Sequence, residues 1–301
     1  MALEIVLFDQ VPVTVLKVRG ASKFLARLLT SDVTKIPVGG IERSVMMNAT
    51  GGIIGLPWVA RTENDAFELI LWGEEADAQQ AWVRQVSVAF DAEIEAETLA
   101  GVPFVGTMPI DGLKLEEHAY VNQSGIRFMN LGWICMVVGA QEAMASLRDN
   151  LLSAGGKKGE RTGFDALRIF AREPAMGLEI SEGVSPLEAG LIEAVDFSDP
   201  ERIFIGRALT EARFKAQNFY KLQLIAFDVP FDPNLLVEVP AVIVDGVEHP
   251  LTSIARIPEG PYTVGLVRVP LSVDIGARVR TKVVTDPRTI CEAALVIDRQ
   301  L

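Results

Sequence analysis

The side chains in this sequence that most often perform catalysis are few and far apart. There are two histidines, His118 and His249, and two cysteines, Cys135 and Cys291, none of them at the spacing of a metal site. Both cysteines lie in apolar stretches, so we expect them to be reduced core residues of a cytosolic protein. The sequence therefore predicts no metal centre built from His and Cys.

The stretch NATGGIIGLPW (residues 48–58) looks like a turn that could present a reactive group, but it contains none. No Asp, Glu, His, Ser or Cys lies between Gly51 and Trp58. Asn48, Gly51 and Gly52 are residue types that accept the backbone angles of a tight hairpin. We interpret them as turn-forming residues, which leaves open where any chemistry would take place.

Composition and charge exclude several classes of partner. The net charge is −12 and the isoelectric point is near 4.8, whereas a phosphate backbone or an anionic membrane must be met by clustered Lys and Arg. The densest basic stretch, Lys157–Lys158 with Arg161, is diluted by Gly and Glu. The first residues lack the pattern of a signal peptide, and no window approaches the roughly 18 apolar residues of a membrane span. A cytoplasmic protein without nucleic-acid or membrane partners is expected.

Hydrophobic periodicity predicts an α+β body formed by two tandem, ferredoxin-like subdomains. In the first, residues 12–19 predict a strand, 21–32 a helix, 44–47 with 53–60 a hairpin, 67–72 a strand and 76–90 a helix. The apolar face of the last helix is predicted to be Ala78, Trp82, Val86, Ala89 and Phe90. In the second, residues 126–138 predict strands, 142–152 a helix and 165–171 a further amphipathic segment.

The pattern changes after residue 217. Short β-rich segments follow, separated by Asp-Gly, Pro and Gly at regular spacing, which is typical of a small barrel or sandwich. We therefore predict an α+β body over residues 1–217 and a C-terminal β-barrel over residues 218–301.

Five segments together carry a family resemblance. They are VRGASKFLARLLTSDV (18–33), SVMMNATGGIIGLPWV (44–59), ALRIFAREPAMGLEISEGVSPLEAGL (166–191), IFIGRALTEAR (203–213) and DGVEHPLTSIARIPEGPYTVGLVRV (245–269). In this order they resemble the glycine-cleavage T-protein superfamily, which contains folate-dependent aminomethyl- and methyltransferases and their folate-binding relatives. The resemblance covers almost the whole chain. It implies a three-lobed, clover-leaf arrangement around a central folate hole, and a shorter N-terminal segment than the family usually has.

The resemblance also implies that the family's usual chemistry is missing. In aminomethyltransferases a G-G-I-x-D-D hairpin supplies an aspartate beside the reactive folate nitrogen, where it can stabilise developing positive charge. Gly55 and Leu56 occupy those two positions here. In relatives that maintain iron–sulfur proteins, a K-G-C-Y-x-G-Q-E motif carries a cysteine whose place is taken by Ile203. No catalytic residue is therefore predicted.

The resemblance implies five residues for binding tetrahydrofolate. Arg127 and Asn130 align with positions that contact the pterin and could hydrogen-bond it, or they could be exposed strand residues. Trp58 and Trp133 could lie flat beside the ligand, although aromatic residues on alternating strands are more often core. Glu188 could lie near the folate hole, or it could be a carboxylate at a helix start.

Two further residues are ambiguous. Arg168 matches an arginine of the family, and we expect it to form a structural ion pair. Tyr120 could act as a general acid, but its ordinary pKa of about 10 would need a perturbing neighbour, so a structural tyrosine is the preferred interpretation.

Two hypotheses of different class follow. The first is a tetrahydrofolate-dependent one-carbon (aminomethyl or methyl) transferase or demethylase that lacks the usual aspartate and acts on a small-molecule donor. A donor that is already cationic needs positioning more than acid–base help. The second is a non-catalytic folate-binding protein or scaffold, which would be a partner subunit of a larger enzyme. The sequence leaves open whether the protein is an enzyme.

Overall fold

A computed structural model of the chain describes residues 4–109, 115–258, 260–285 and 293–298. The chain divides into two compact units. Unit 1 comprises the residues up to Glu160 together with Glu193–Arg207, and unit 2 comprises Arg161–Ile192 with the residues from Ala208 onward.

Unit 1 is built on one mostly antiparallel sheet. Its strands are β1 (Ile5–Leu7), β2 (Val11–Arg19), β3 (Ile41–Arg43), β4 (Met46–Met47), β5 (Ile53–Gly55), β6 (Trp58–Glu63), β7 (Ala66–Trp72), β8 (Ile94–Gly106), β9 (Tyr120–Gln123), β10 (Ile126–Asn130), β11 (Cys135–Gly139) and β12 (Lys157–Lys158). Its helices are α1 (Ser22–Leu28), α2 (Ala76–Ser87) and α3 (Gln141–Ser153). The order in the sheet is β3-β6-β7-β2-β8-β11-β10-β9, with β1 beside β8 and β12 beside β1, while β4 and β5 form a separate hairpin.

The sheet of unit 1 almost closes on itself. Gly40, before β3, forms a bridge with Ala119, before β9. The Tyr120 N–H donates to the Gly39 carbonyl at 2.7 Å, and the Ile41 N–H donates to the His118 carbonyl at 2.8 Å. The two ends of the strand order are thus joined, and the sheet has an outward face and an inward face.

The two faces of the sheet differ in chemistry. On the outward face, Leu16 of β2 and Leu69 of β7 pack with Phe24 of α1 in one apolar core. Successive side chains of a strand point to opposite faces, so Lys17 and Glu68, which are register partners, belong to the inward face. The long strand β8 pairs with β2 in its first half and with β11 in its second half, and thereby connects the two predicted α+β subdomains.

Unit 2 contains the C-terminal barrel. Its helices are α4 (Arg161–Phe170) and α5 (Arg207–Ala216), and its strands are β13 (Tyr220–Phe227), β14 (Ala241–Val244), β15 (Val247–Arg256), β16 (Thr263–Pro270), β17 (Arg278–Lys282) and β18 (Ala293–Ile297). Among the described residues, these strands close in the order β13-β16-β15-β14-β17-β18. Helix α4 packs against β15 and β16. The prediction of an α+β protein with a C-terminal β-barrel is confirmed.

Two predictions about local structure are wrong in detail. The strand predicted over residues 53–60 is two strands, because Pro57 separates β5 from β6 and only β6 joins the main sheet. The buried face of α2 contains Ala76, Gln79 and Val83, whereas Ala78, Ala89 and Phe90 of the predicted face are exposed. The last three residues of the predicted helix, Val88–Phe90, form a 3₁₀ turn that ends at Asp91 with a positive φ of 51°. These three residues are exposed, although the Phe90 ring still contacts Phe24, with ring centroids 5.9 Å apart.

Two other expectations concern membranes and cysteines. No helix within the described ranges is long and apolar enough to cross a membrane. Cys135 is a free, half-buried thiol whose pKa is raised by burial. Cys291 lies outside the described residues.

Candidate functional site

The turn between β4 and β5 is held by its own asparagine. The Asn48 carboxamide oxygen accepts hydrogen bonds from the Thr50 N–H at 3.0 Å and the Gly52 N–H at 2.9 Å. Gly51 has a φ of 82°, a conformation that glycine adopts without strain. The interpretation of these residues as turn-forming is confirmed. The same turn also receives Gly206, where a Cβ atom would lie 2.7 Å from the Asn48 carbonyl oxygen.

The backbone at Gly55 leaves no room for a side chain. A Cβ atom at this position would lie 2.6 Å from the Gln79 side-chain oxygen and 2.7 Å from the Met46 methyl group. Gln79 is fixed there because its Oε1 accepts a hydrogen bond from the Leu56 N–H at 3.2 Å. Leu56 is itself buried. A carboxylate at Gly55 would therefore have to displace two buried side chains.

The aromatic ring of Trp58 lies immediately after this segment. The Arg43 guanidinium carbon is 4.2 Å from the centroid of the Trp58 ring, which is within cation–π distance. Arg43 also donates to the Leu56 carbonyl at 2.9 Å, and burial lowers its pKa to about 9. Trp58 is buried, and its Nε1–H has no hydrogen-bond partner among the described residues. A buried donor without a partner is uncommon in folded proteins.

Arg127, predicted to contact pterin, is instead bound within the sheet. Its Nε donates to Glu68 at 2.7 Å and its Nη2 donates to Glu97 at 2.6 Å. Its Nη1 donates to the Gly125 carbonyl at 3.3 Å. Lys17 donates to the second oxygen of Glu97 at 2.5 Å. Arg127 and Glu68 are buried, so this pair is taken out of water on the inward face of the sheet.

Tyr120 belongs to the same network. Its hydroxyl donates to Glu68 Oε2 at 2.5 Å, and burial together with the Glu68 charge raises its pKa above the usual range. A raised pKa makes Tyr120 a poorer proton donor at neutral pH. Its contacts therefore support the structural interpretation over the general-acid one.

The ionisation of Glu97 makes the stability of this network depend on pH. Burial alone would raise the pKa of Glu97, but hydrogen bonds from Lys17 and Arg127 outweigh it and hold the pKa below its usual range. A carboxylate with a depressed pKa stabilises the fold above the unfolded-state pKa of about 4.3, and this contribution is lost as the pH falls through the folded-state pKa.

Replacing Glu97 should therefore change the acid sensitivity of unit 1. Glu97→Gln is expected to lower the free energy of unfolding by about 1 kcal/mol near neutral pH, and the difference from wild type should shrink as the pH falls below the unfolded-state pKa of about 4.3. All four tryptophans, Trp58, Trp72, Trp82 and Trp133, lie in unit 1, so urea unfolding followed by tryptophan fluorescence measures it. Glu95→Gln, at the more exposed Lys17 partner, is the control. A difference that is independent of pH would contradict the assignment.

Asn130 and Trp133, both predicted folate contacts, are placed around the turn between β10 and β11. The Asn130 amide donates to the Leu115 carbonyl at 3.2 Å, and its carbonyl oxygen accepts from the Gly132 N–H at 3.0 Å. Asn130 thus fixes a turn. Trp133 is half-buried and packs against Trp72, with ring centroids 6.3 Å apart.

Glu188 lies in unit 2, in a groove of about 550 Å³ that Arg213 and Tyr220 also line. Its Oε2 accepts from the Ser185 N–H at 3.1 Å and from the Ser185 hydroxyl at 2.6 Å. Arg213 approaches the same oxygen at 3.9 Å. The Oε1 atom of Glu188 accepts no hydrogen bond within the described part of the chain, so this carboxylate keeps binding capacity.

Arg168 forms the structural ion pair that was expected. Its Nη1 donates to Glu179 Oε2 at 2.8 Å, and its Nη2 donates to the Ser253 hydroxyl at 2.7 Å. Glu179 is fully buried and also accepts from Thr252 and from the Ala175 N–H. This closed network ties α4 and the loop that follows it to barrel strand β15.

Arg202, in the segment that resembles the iron–sulfur-maintenance motif, serves the fold of unit 1. Its guanidinium donates to the carbonyl oxygens of Leu29 at 2.5 Å, Thr30 at 2.8 Å and Ser31 at 2.6 Å. These carbonyls follow the end of α1, where backbone acceptors lack helical partners and a cation is favoured. Arg202 therefore attaches Glu193–Arg207 to α1.

Comparisons with known proteins bear on these residues. No family model matches the chain. The aminomethyltransferase of Stenotrophomonas maltophilia is 28% identical over an alignment that covers 93% of this chain and 84% of that protein. The aminomethyltransferase of Bordetella petrii is 26% identical, covering 87% of this chain and 76% of that protein. A third, from Francisella philomiragia, is also 26% identical, but the alignment spans only 58% of its length.

The fold of the chain is also similar to that of an aminomethyltransferase. The crystal structure of the glycine cleavage system aminomethyltransferase T from Bartonella henselae superposes with a TM-score of 0.81, covering 99% of this chain and 86% of that one at 18% identity. In sequence and in fold, the chain is similar to aminomethyltransferases of the T-protein superfamily. Members of this superfamily that are called aminomethyltransferases thus align along nearly the whole sequence, in agreement with the motif order.

The predicted folate residues belong to both units of the chain. Arg127, Trp58 and Trp133 lie in unit 1 and Glu188 lies in unit 2. Sequence reasoning missed Glu68 and Gln79, which decide what Arg127 and Gly55 can do. The signal for Glu68 is an isolated carboxylate inside the apolar strand β7, AFELILW, because a charge in a buried strand needs a partner. Across the described residues, no group of three or more His, Cys, Asp or Glu could hold a metal ion.

Proposed function

We propose that the protein is a tetrahydrofolate-dependent one-carbon transferase or demethylase that works without a carboxylate at Gly55 and Leu56. The observation that carries the proposal is the alignment of aminomethyltransferase sequence and fold over nearly the whole chain. The crowding around Gly55 supports the second half of it, because the hairpin is packed as an apolar turn. We further propose a cytoplasmic location and a small-molecule donor, since a chain of net charge −12 is unsuited to nucleic acid.

A bound folate needs hydrogen-bonding groups that are not already used within the protein. Arg127 and Asn130 do not meet this condition, because their polar atoms are bound to unit 1 itself. Trp58 Nε1–H and Glu188 Oε1 do meet it. The pterin ring offers a carbonyl acceptor and adjacent N–H donors, which suit an indole N–H and a carboxylate respectively. Trp58 in unit 1 and Glu188 in unit 2 are therefore two separate candidates for a cofactor contact, each argued from its own unit.

The absence of a carboxylate at Gly55 and Leu56 limits the reactions that the protein could catalyse. Tetrahydrofolate would supply a ring nitrogen that accepts the one-carbon unit. Without a nearby carboxylate at Gly55, the protein cannot assist by proton removal there, so its contribution is to hold the donor against the cofactor and exclude water. A cationic or methoxy donor, which needs little acid–base help, fits this arrangement better than a neutral amine.

Thermal unfolding with tetrahydrofolate tests the proposal. A ligand at about 100 times its dissociation constant adds about 2.7 kcal/mol of stability, so millimolar tetrahydrofolate should raise the melting temperature by several degrees. Trp58→Phe and Glu188→Gln should each reduce the shift. The matched controls are Trp82→Phe, which removes another indole N–H without a partner among the described residues, and Glu182→Gln, which is exposed in the loop before Glu188. No shift at millimolar cofactor would refute the proposal.

A second function has its own support. The turn at Gly55 contains no acidic residue, and the Arg127 guanidinium is hydrogen-bonded within the sheet. Both observations favour a non-catalytic folate-binding or scaffold subunit. Turnover separates the two functions. If tetrahydrofolate binds but sulfonium, methoxy and aminomethyl donors yield no one-carbon folate, and the protein co-purifies from its host with a stoichiometric partner, the scaffold function is supported and the transferase function is wrong.

A further inference from the structure

One groove of unit 2 has an apolar wall and a rim that carries Arg161, Asp165 and Glu238. It has a volume of about 600 Å³, within the range of ligand sites. Its walls come from α4, the loop after α4, the segment before β14 and the middle of β15. The apolar residues are Ile169, Leu178, Leu236, Val237, Val239, Pro240, Leu251 and Ile254. None of the predicted folate residues lines it.

Three of the apolar side chains that line the groove are about half exposed to solvent or more. Val237 is 61% exposed, Val239 is 66% exposed and Leu178 is 48% exposed. Single exposed aliphatic residues are ordinary, but a contiguous set that borders one groove marks a binding surface. Burying such side chains against an apolar ligand would remove them from water, at roughly 25 cal/mol for each Å² covered.

The polar floor of the groove is already satisfied. Arg168, Thr252 and Ser253 line it, and their side chains are hydrogen-bonded to one another or to Glu179. Because these groups have their partners, they do not need a ligand, and they form a rigid base for one. Specificity must therefore come from the rim.

Arg161 is the group on the rim that is available to a ligand. Its Nε donates to Asp165 at 3.1 Å, in an exposed pair one helical turn apart, and its two terminal nitrogens donate to no described residue. An exposed pair of this kind contributes little and is easily exchanged. The two free nitrogens of a guanidinium form the planar fork that binds a carboxylate through both oxygens.

We propose that this groove binds a small organic anion with an apolar body and a terminal carboxylate, held by Arg161 at the rim and by Val237 and Val239 along the wall. Asp165 competes with the ligand for the Arg161 guanidinium. The other carboxylate of the rim, Glu238, is paired with Lys282 at 3.5 Å. Neither Trp58 nor Glu188 lines this groove, and the proposal does not depend on the proposed function.

Calorimetric titration of the full chain with 4-phenylbutyrate and with its neutral counterpart 4-phenyl-1-butanol tests this site. The carboxylate should bind more tightly than the alcohol. Arg161→Gln should weaken phenylbutyrate about tenfold and leave phenylbutanol unchanged, and Asp165→Asn should strengthen phenylbutyrate. Val239→Glu should weaken both probes. Arg256→Gln, an exposed arginine at the end of β15, is the matched control and should change neither.

Three results would overturn the proposal. One is the absence of saturable phenylbutyrate binding, and another is an Arg161→Gln variant that binds phenylbutyrate like wild type. The third is a dimer in sedimentation that Val239→Glu dissociates, because the groove would then be an interface between two copies of the chain. Tetrahydrofolate binding is measured separately, so its loss or retention leaves these outcomes distinguishable.

Discussion

Arg127→Met is expected to destabilise unit 1 by about 3–5 kcal/mol, because it leaves the buried Glu68 carboxylate without its charged partner. Glu68 and Arg127 meet on the inward face of the sheet at 2.7 Å, and both side chains are almost fully buried. The energy arises from the unpaired charge, since a pair of this kind contributes little relative to apolar residues of the same shape. Urea unfolding followed by tryptophan fluorescence measures the loss.

The double variant Arg127→Met/Glu68→Gln separates this explanation from a simple packing defect. Glutamine at position 68 is neutral, so the double variant contains no buried charge without a partner. Its side-chain oxygen can still accept a hydrogen bond from the Tyr120 hydroxyl, which donates to Glu68 in the wild type. We expect it to recover about 1.5–3 kcal/mol of the single-variant loss as a coupling energy. Asp9→Asn, which removes the exposed carboxylate of the ion pair with Arg148 in unit 1, is the control and should cost less than about 1 kcal/mol.

The outcome also decides the role of Arg127. If Arg127→Met leaves stability within about 1 kcal/mol of wild type and abolishes the tetrahydrofolate shift, Arg127 is a ligand residue after all. If Arg127→Met unfolds at a lower urea concentration than wild type and the double variant regains both stability and cofactor binding, the role of the Arg127 guanidinium is to stabilise the sheet. Arg127 then does not contact the pterin, although it aligns with a position that does so in the family.

Patterns within short segments predicted much of the fold. The alternation in PVTVLKVR predicted β2, and Phe24, Leu25 and Leu28, spaced along one face, predicted α1. Regular spacing of Asp-Gly, Pro and Gly predicted the barrel strands. These features depend on neighbours a few residues apart, which a single sequence displays directly.

The features that decide the site depend on contacts between distant segments. Glu68 meets Arg127 only because β7, β2, β8, β11 and β10 are adjacent in that order and in a fixed register. Gln79 fills the space at Gly55 because α2 presents a polar residue to the core, where its amide oxygen satisfies the Leu56 N–H. Hydrophobicity alone does not assign Gln79 to the buried face of α2. A buried glutamine is tolerated only where its amide has a hydrogen-bond partner, and that partner cannot be identified from the sequence of the helix.

Gly55→Asp restores the residue type that the resemblance assigns to this turn, and we expect it to cost at least about 3 kcal/mol in unfolding free energy of unit 1. Its Cβ would overlap the Gln79 side-chain oxygen and the Met46 methyl group, and overpacking of this kind costs about 1–3 kcal/mol. A carboxylate in the same crowded position adds a desolvation penalty. Gly55→Ala isolates the steric part and should lose about 1–3 kcal/mol.

Gln79→Ala tests whether Gln79 is what excludes the side chain at Gly55. Alone, it leaves the buried Leu56 N–H without its acceptor, at a cost of about 1–3 kcal/mol. In Gly55→Ala/Gln79→Ala the overlap with Gln79 disappears and only the overlap with the Met46 methyl group remains, so the double variant should lose less stability than the sum of the two single losses, by about 1 kcal/mol. Additive losses would mean that Met46, and not Gln79, closes the position. If Gly55→Asp folds normally and gains aminomethyl transfer that wild type lacks, then this hairpin still presents a working site, and a transferase that relies on positioning alone is the wrong description of the protein.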